Sequence, residues 1–265
     1  MNNNLTPVVK KLLLANIAIF ILGEILVSSL GMDISAFLGF RPIGSEYFLP
    51  FQVVTYMFLH AGLGHLFSNM LGLYFLGPLL EQVLGAKKFF IYYMIAGIGS
   101  GLLFASVNYA QMYGIQKEAN SFLANPSPDK LIAFTDNHFN LSSYGYEFTQ
   151  ELYPENPNDE TYIQQARVIV RNFVESKQAG VMVGASGAIF GIIIAFGFLF
   201  PNLEMMLLFP PIPIKAKYFA LLYGIYSIYS LIERNPNDNV AHLAHLGGML
   251  FGFIMLKYWK MKPYN

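Results

Sequence analysis

The sequence predicts an all-α polytopic membrane protein with six transmembrane helices and a long extracytoplasmic insertion between helices 3 and 4. Three observations carry that expectation. Of 265 residues, 55% are hydrophobic and only 12% charged, about half the usual share of charge. The charges are also segregated: residues 47–80, 89–116, 178–203, 218–232 and 239–256 contain no Asp, Glu, Lys or Arg. Finally, several of these runs approach the ~20 apolar residues needed to cross a ~30 Å hydrocarbon core. Composition also excludes other classes. The 16 basic and 16 acidic residues cancel without a basic run, so no nucleic-acid surface is expected. The absence of cysteine rules out disulfides and thiolate metal sites.

Six spans are expected at about 10–30, 61–82, 88–109, 184–200, 215–232 and 241–259. The first contains Glu24 and follows Lys10 and Lys11. Five spans come after it, so it reads as a retained anchor and not a cleaved signal. The short loops set the orientation. Lys10, Lys11, Lys87, Lys88, Lys215, Lys217, Lys257, Lys260 and Lys262 fall on one side, and Arg41 and Arg234 on the other. Nine against two places both termini in the cytoplasm. Spans two, four and six then run from outside to inside.

Three parts follow: residues 1–110 with spans one to three, an acidic insertion at 111–179, and residues 180–265 with spans four to six. The insertion has nine acids against five bases. From Asp159 to Gln178, Tyr162, Ala166, Ile169, Val170, Phe173 and Val174 recur at helical spacing, predicting an amphipathic helix that lies on the bilayer or packs on the bundle. A contact with substrate or partner is the alternative.

Polar groups inside spans are costly and therefore mark function. They gather at three places: His65 and Asn69 in span two, Gly184-Ala185-Ser186-Gly187 at the start of span four, and His242 with His245 at the start of span six. Counting back from Pro201, Lys257 and Glu81 at about 1.5 Å per residue puts Ser186, His245 and Asn69 roughly 18–22 Å above the inner boundary. One submerged depth is implied, and irregular backbone there requires a wet or protein-lined cavity. Gly187 and Gly191 make a small-residue face on span four, as do Gly248 and Gly252 on span six, so these helices are expected to approach closely. Ser186 then meets His245 as nucleophile and general base. With no carboxylate in spans two to six at that depth, the expectation is a dyad. His65 and Asn69, four apart, share a helical face and can both donate to an oxyanion. So can the N–H groups at the N-terminus of the Ser186 helix. Phe190 is placed to stack on His245. His242 shares the face of His245 and reads as a pore-facing or supporting residue; metal binding is not expected. His60 reads as an outer-loop or interfacial residue and His138 as solvated. Glu81 is expected to bond the loop leading to Lys87, and Gly97, Gly101 and Ala105 to form a packing face.

Gly184-Ala185-Ser186-Gly187 resembles the G-x-S-G motif of the rhomboid family of intramembrane serine proteases. His65-x-x-x-Asn69 matches that family's H-x-x-x-N, and Ala244-His245 with Gly248 and Gly252 matches its A-H-x-x-G-x-x-x-G. The resemblance implies a six-helix rhomboid-like bundle. It implies Ser186 as nucleophile, His245 as base and then acid, and His65 with Asn69 as oxyanion donors. Substrates would be transmembrane helices of other proteins in the lipid bilayer, cut through an acyl-enzyme without cofactor or metal. The compact six-span plan points to a bacterial inner membrane, with the site opening to the extracytoplasmic side. The sequence departs from the family in having Phe190 where Tyr is common, in lacking a Trp-Arg pair in the first outer loop, and in the length of its insertion. Two other classes stand beside the protease: a catalytically inactive rhomboid-like factor that binds or escorts membrane proteins, which need not keep both Ser186 and His245, and a transporter, whose polar groups should cross the midplane.

Overall fold

A computed structural model of the chain describes residues 5–138, 143–206, 212–233 and 242–264, with the side chains of 143 and 144 left aside. In chain order the longer elements are α1 (Pro7–Leu30), α2 (Leu63–Leu84), α3 (Ala86–Ala124), α4 (Pro128–His138), α5 (Glu160–Gln178) and α6 (Ser186–Leu199). The strands β1 (Glu204–Met206) and β2 (Pro213–Lys215) and the helices α7 (Ala216–Glu233) and α8 (His242–Tyr258) complete them. By length and composition, α1, α2 and α3 suffice to cross a membrane. The other expected spans are helices of 14, 18 and 17 residues. Arg234, counted with the outer loops, and Ala241, at the start of the expected sixth span, lie outside the described residues.

The chain forms two compact units. The first comprises residues 1–41, 47–105 and 181–265, and its helices touch through glycines. A Cβ on Gly248 of α8 would land on the Gly187 carbonyl of α6, and one on Gly252 would lie 3.0 Å from the Gly191 Cα. This is the close approach expected from the small-residue faces. Hydroxyls of α3 fasten it to both of these helices. Ser100 donates to the Ala244 carbonyl at 2.6 Å, and Tyr92 to the Gly191 carbonyl at 2.6 Å. Gly97 and Gly101 of α3 do form a packing face, but what they receive is Met57, Tyr56 and Phe40 from the chain between α1 and α2. Apolar side chains such as Leu14, Ile21, Leu221 and Ile228 stand exposed on α1 and α7, a surface suited to lipid and not to water.

Three expectations need correction here. Glu81 does not bond the loop before Lys87. It is 3% exposed and caps α1, accepting from Val8 N–H at 3.0 Å, Val9 N–H at 2.9 Å and the Thr6 hydroxyl. A carboxylate is favoured there because the first N–H groups of a helix have no internal acceptor. The all-α expectation fails at a small antiparallel pair, β1 with β2, in which Glu204 faces Lys215 and Met206 faces Pro213. Pro201 stops α6, and the polypeptide must reverse before α7 can begin. Third, α3 does not stop near residue 109. Loss of hydropathy ends a membrane span, but residues 110–124 are rich in Ala, Gln, Met, Lys, Glu and Leu and have no proline before Pro126, so the helix continues.

The second unit comprises residues 42–46 and 106–180 and contains most of the segment read as the insertion. It has its own core of Ala119, Phe122, Leu131, Phe134, Phe148, Tyr153, Ala166 and Val170. Asp159 caps α5 by accepting from Thr161 N–H at 2.7 Å, as expected of an acidic start. The apolar face of α5 is taken up by this core, with Tyr162, Ile169, Phe173 and Val174 packed round it. His138 is not simply solvated: its Nε2 lies 2.9 Å from Glu118 Oε2 and its ring packs on Phe134 and Phe173.

Candidate active site

Ser186 is the first residue of α6, and the turn before it is unusual. Gly184 has φ +129°, a conformation that L side chains rarely adopt. Its N–H donates to the Tyr56 carbonyl at 2.9 Å, anchoring the turn. A Cβ at this position would also come within 2.8 Å of the His65 ring, so glycine is required twice over. Ile189 N–H is bonded to the Ala185 carbonyl, which leaves the N–H groups of Ser186, Gly187 and Ala188 without an intrahelical acceptor. They point where an anion would be stabilised.

The Ser186 Oγ lies 3.0 Å from His245 Nε2. That is hydrogen-bond reach for proton transfer. The imidazole is stacked flat on Phe190, with centroids 4.0 Å apart and planes 7° from parallel. Phe190 thus occupies the place expected of it, one turn after Ser186. His245 is 9% exposed, and Ser186 is half-buried. His242 is buried one turn earlier on α8, edge-on to His245 at 5.8 Å. It is thus a ring neighbour of His245.

On α2, Ala61 N–H donates to His65 Nδ1 at 3.4 Å. An accepting Nδ1 puts the proton on Nε2, the atom that faces Gly184. His65 thereby presents a donor to the Gly184–Ser186 turn. Asn69 is buried one turn on and gives one amide hydrogen to the His65 carbonyl at 3.0 Å, leaving its second free to donate. Of the four polar residues singled out in the sequence, the structure brings Ser186, His245 and His65 to one turn, and Asn69 bonds the His65 carbonyl one turn on. The sequence did not single out Ser100 or Tyr56. Ser100 is a buried hydroxyl in a charge-free span, and that was the signal available for it.

His60 and Glu24 gain locations. Both line a crevice with Asp33, Ile19, Phe20, Gly23 and Leu59. The His60 ring lies edge-on to His65 at 5.1 Å, and among the described residues neither of its nitrogens has a hydrogen-bond partner. Burial first, and the charge of His65 second, lowers its pKa from 6.5 to about 4. The fold thus favours neutral His60, and stability present above pH 6.5 is lost as the pH falls towards 4. In detergent, the wild-type Tm is expected to fall more steeply between pH 6.5 and 4 than that of His60→Leu. Parallel curves would exclude His60 as the titrating group.

A serine and a histidine joined at a helix N-terminus, within apolar helices too long and too exposed to suit water, define a class: a helical membrane protein with a polar site enclosed in its bundle. The chain belongs to the rhomboid family. The family's Rhomboid domain matches residues 49–119 and 165–261, more than half of the chain. An uncharacterized rhomboid protein of Schizosaccharomyces pombe, named as mitochondrial, is 28% identical over 79% of this chain and 52% of its own length. RHOMBOID-like protein 12 of Arabidopsis thaliana, also named as mitochondrial, is 26% identical over 74% of this chain and 42% of its own. RHOMBOID-like protein 1 of the same plant is 42% identical over a shorter stretch, 22% of this chain and 15% of its own. The chain spans about half the length or less of these relatives.

Proposed function

We propose that the protein is an intramembrane serine endopeptidase that cleaves transmembrane helices of other membrane proteins. The observation that carries this reading is the 3.0 Å contact between Ser186 Oγ and His245 Nε2 at the open start of a helix. In the proposed reaction, His245 takes the hydroxyl proton as Ser186 attacks a scissile carbonyl. The resulting oxyanion is met by the Ser186 N–H, His65 Nε2–H and Asn69. As the tetrahedral intermediate collapses, His245 returns the proton to the departing amine and leaves an acyl-enzyme. Water, deprotonated by the same imidazole, then releases the second product. Six spans are proposed, with α6, α7 and α8 completing those of α1 to α3. The short α6 fits because its first residue is the reacting one, at depth and not at the surface. The excess of lysine on one side supports cytoplasmic termini and a site open to the opposite face. A bacterial inner membrane is the compartment that this plan suits.

The test is cleavage of a single-span reporter by the detergent-solubilised chain and by Ser186→Ala. The expected result is cleavage by the wild type, covalent labelling of Ser186 by a fluorophosphonate, and loss of both in the variant. Cleavage that survives Ser186→Ala would sink the proposal. A wild type that binds reporters yet neither cuts nor labels would establish an inactive binding factor instead.

A further inference from the structure

His245 is held by two rings, and each of those rings rests on a tyrosine of the same helix. Phe190 stacks on the imidazole, and Tyr223 of α7 meets Phe190 edge-on, with centroids 5.5 Å apart and planes at 78°. On the other route, His242 meets His245 at 82°. Tyr226 meets His242 at 5.4 Å and 78°. Tyr223 and Tyr226 are three residues apart and so lie on neighbouring positions of one helical face. Both remain substantially exposed, at 40% and 56%, so neither is an ordinary core residue. Their neighbours Leu222 and Ile225 are exposed as well.

We propose that Tyr223 and Tyr226 are positioning residues, which set the imidazole of His245 against Ser186 through Phe190 and His242. An imidazole can tilt about its side-chain torsions, and a tilt of a few tenths of an ångström at Nε2 degrades the 3.0 Å contact with Ser186. The parallel face of Phe190 opposes tilting, but only while Phe190 itself stays in place. The perpendicular contact from Tyr223 keeps it there, since an edge-to-face pair is directional and worth more than its buried area. His242 and Tyr226 restrain the imidazole from a second direction, so the two routes together limit two rotations. In both routes it is the ring of the tyrosine that makes the contact.

The inference rests on the protease reading, and the experiment separates the two. The full chain in detergent is assayed for kcat and KM on the single-span reporter, for the rate of fluorophosphonate labelling of Ser186, and for Tm. Tyr223→Ala and Tyr226→Ala are each expected to lower kcat and the labelling rate about threefold to tenfold, with KM unchanged. The double variant should lose more than either single variant, and it need not show their product, because both routes end on one ring. Tyr223→Phe and Tyr226→Phe should retain wild-type kcat, as should Ile225→Ala on the same helix. Alanine variants with wild-type kcat and labelling would overturn the inference. A loss confined to KM would also overturn it, since that marks substrate contact, and so would Phe variants as impaired as the Ala variants. Failure of the underlying reading looks different: activity that persists in Ser186→Ala, or a wild type that neither cuts nor labels.

Discussion

His245→Ala is expected to reduce cleavage of a single-span reporter by about 10³-fold or more, with the protein still folded. The size follows from the geometry. Without Nε2 at 3.0 Å, Ser186 is an ordinary alcohol with nothing to accept its proton, and the leaving amine has no donor. What remains is whatever the donors at the start of α6 and on α2 provide by themselves. A stricter consequence concerns the pair. If, as proposed, the two residues act as one unit, Ser186→Ala with His245→Ala should lose no more than either single change. Initial rates of reporter cleavage by the three variants settle it. A multiplicative loss in the double variant, or a single variant within tenfold of wild type, would show that the hydroxyl and imidazole act separately.

Gly248→Ala is the second large effect, and it acts on packing before chemistry. The added methyl would occupy the position of the Gly187 carbonyl, which belongs to helical backbone and cannot rotate aside. One of α6 and α8 must therefore move, at a cost near the upper end of the usual overpacking range, about 3 kcal/mol. Since α6 carries Ser186 and α8 carries His245, the same displacement lengthens their contact. Thermal unfolding in detergent should show a clear drop in Tm, and reporter cleavage should fall with it at temperatures where the variant is still folded. Gly114→Ala is the control: it too is helical, but nothing lies within 4 Å of the added Cβ, so Tm should hold or rise slightly. Equal behaviour of the two variants would mean that the helices part easily at Gly248.

These effects explain why the candidate site was so legible. A bilayer penalises every polar group that it encloses, so Ser186, His65, Asn69 and His245 stood out against charge-free surroundings, and small residues four apart marked the seam between α6 and α8. The same physics says nothing about which distant atom a polar side chain will meet. A nearby loop is the partner that sequence offers Glu81, because its actual donors, Thr6, Val8 and Val9, are more than seventy positions away. His60 and Glu24 share a crevice for which neither carries a sequence signal. Helical periodicity found α5 and its apolar face, but periodicity cannot name the surface that covers that face. The β1–β2 pair is invisible in the sequence because strands of three residues are too short for a period of two to register. For α3, the end of a hydrophobic run does not mark the end of the helix, because the two are set by different properties.

The capping of α1 by Glu81 makes residues 6–9 a working part of the bundle. An unpaired carboxylate in an apolar interior is among the costliest groups a protein can bury. Among the described residues its donors come from residues 6 to 9. Trimming those residues, or pulling them away with a bulky amino-terminal fusion, would strand the charge at the far end of α2, the helix that presents His65. An alteration that looks peripheral in sequence would thus be felt along the helix that bears a candidate oxyanion donor.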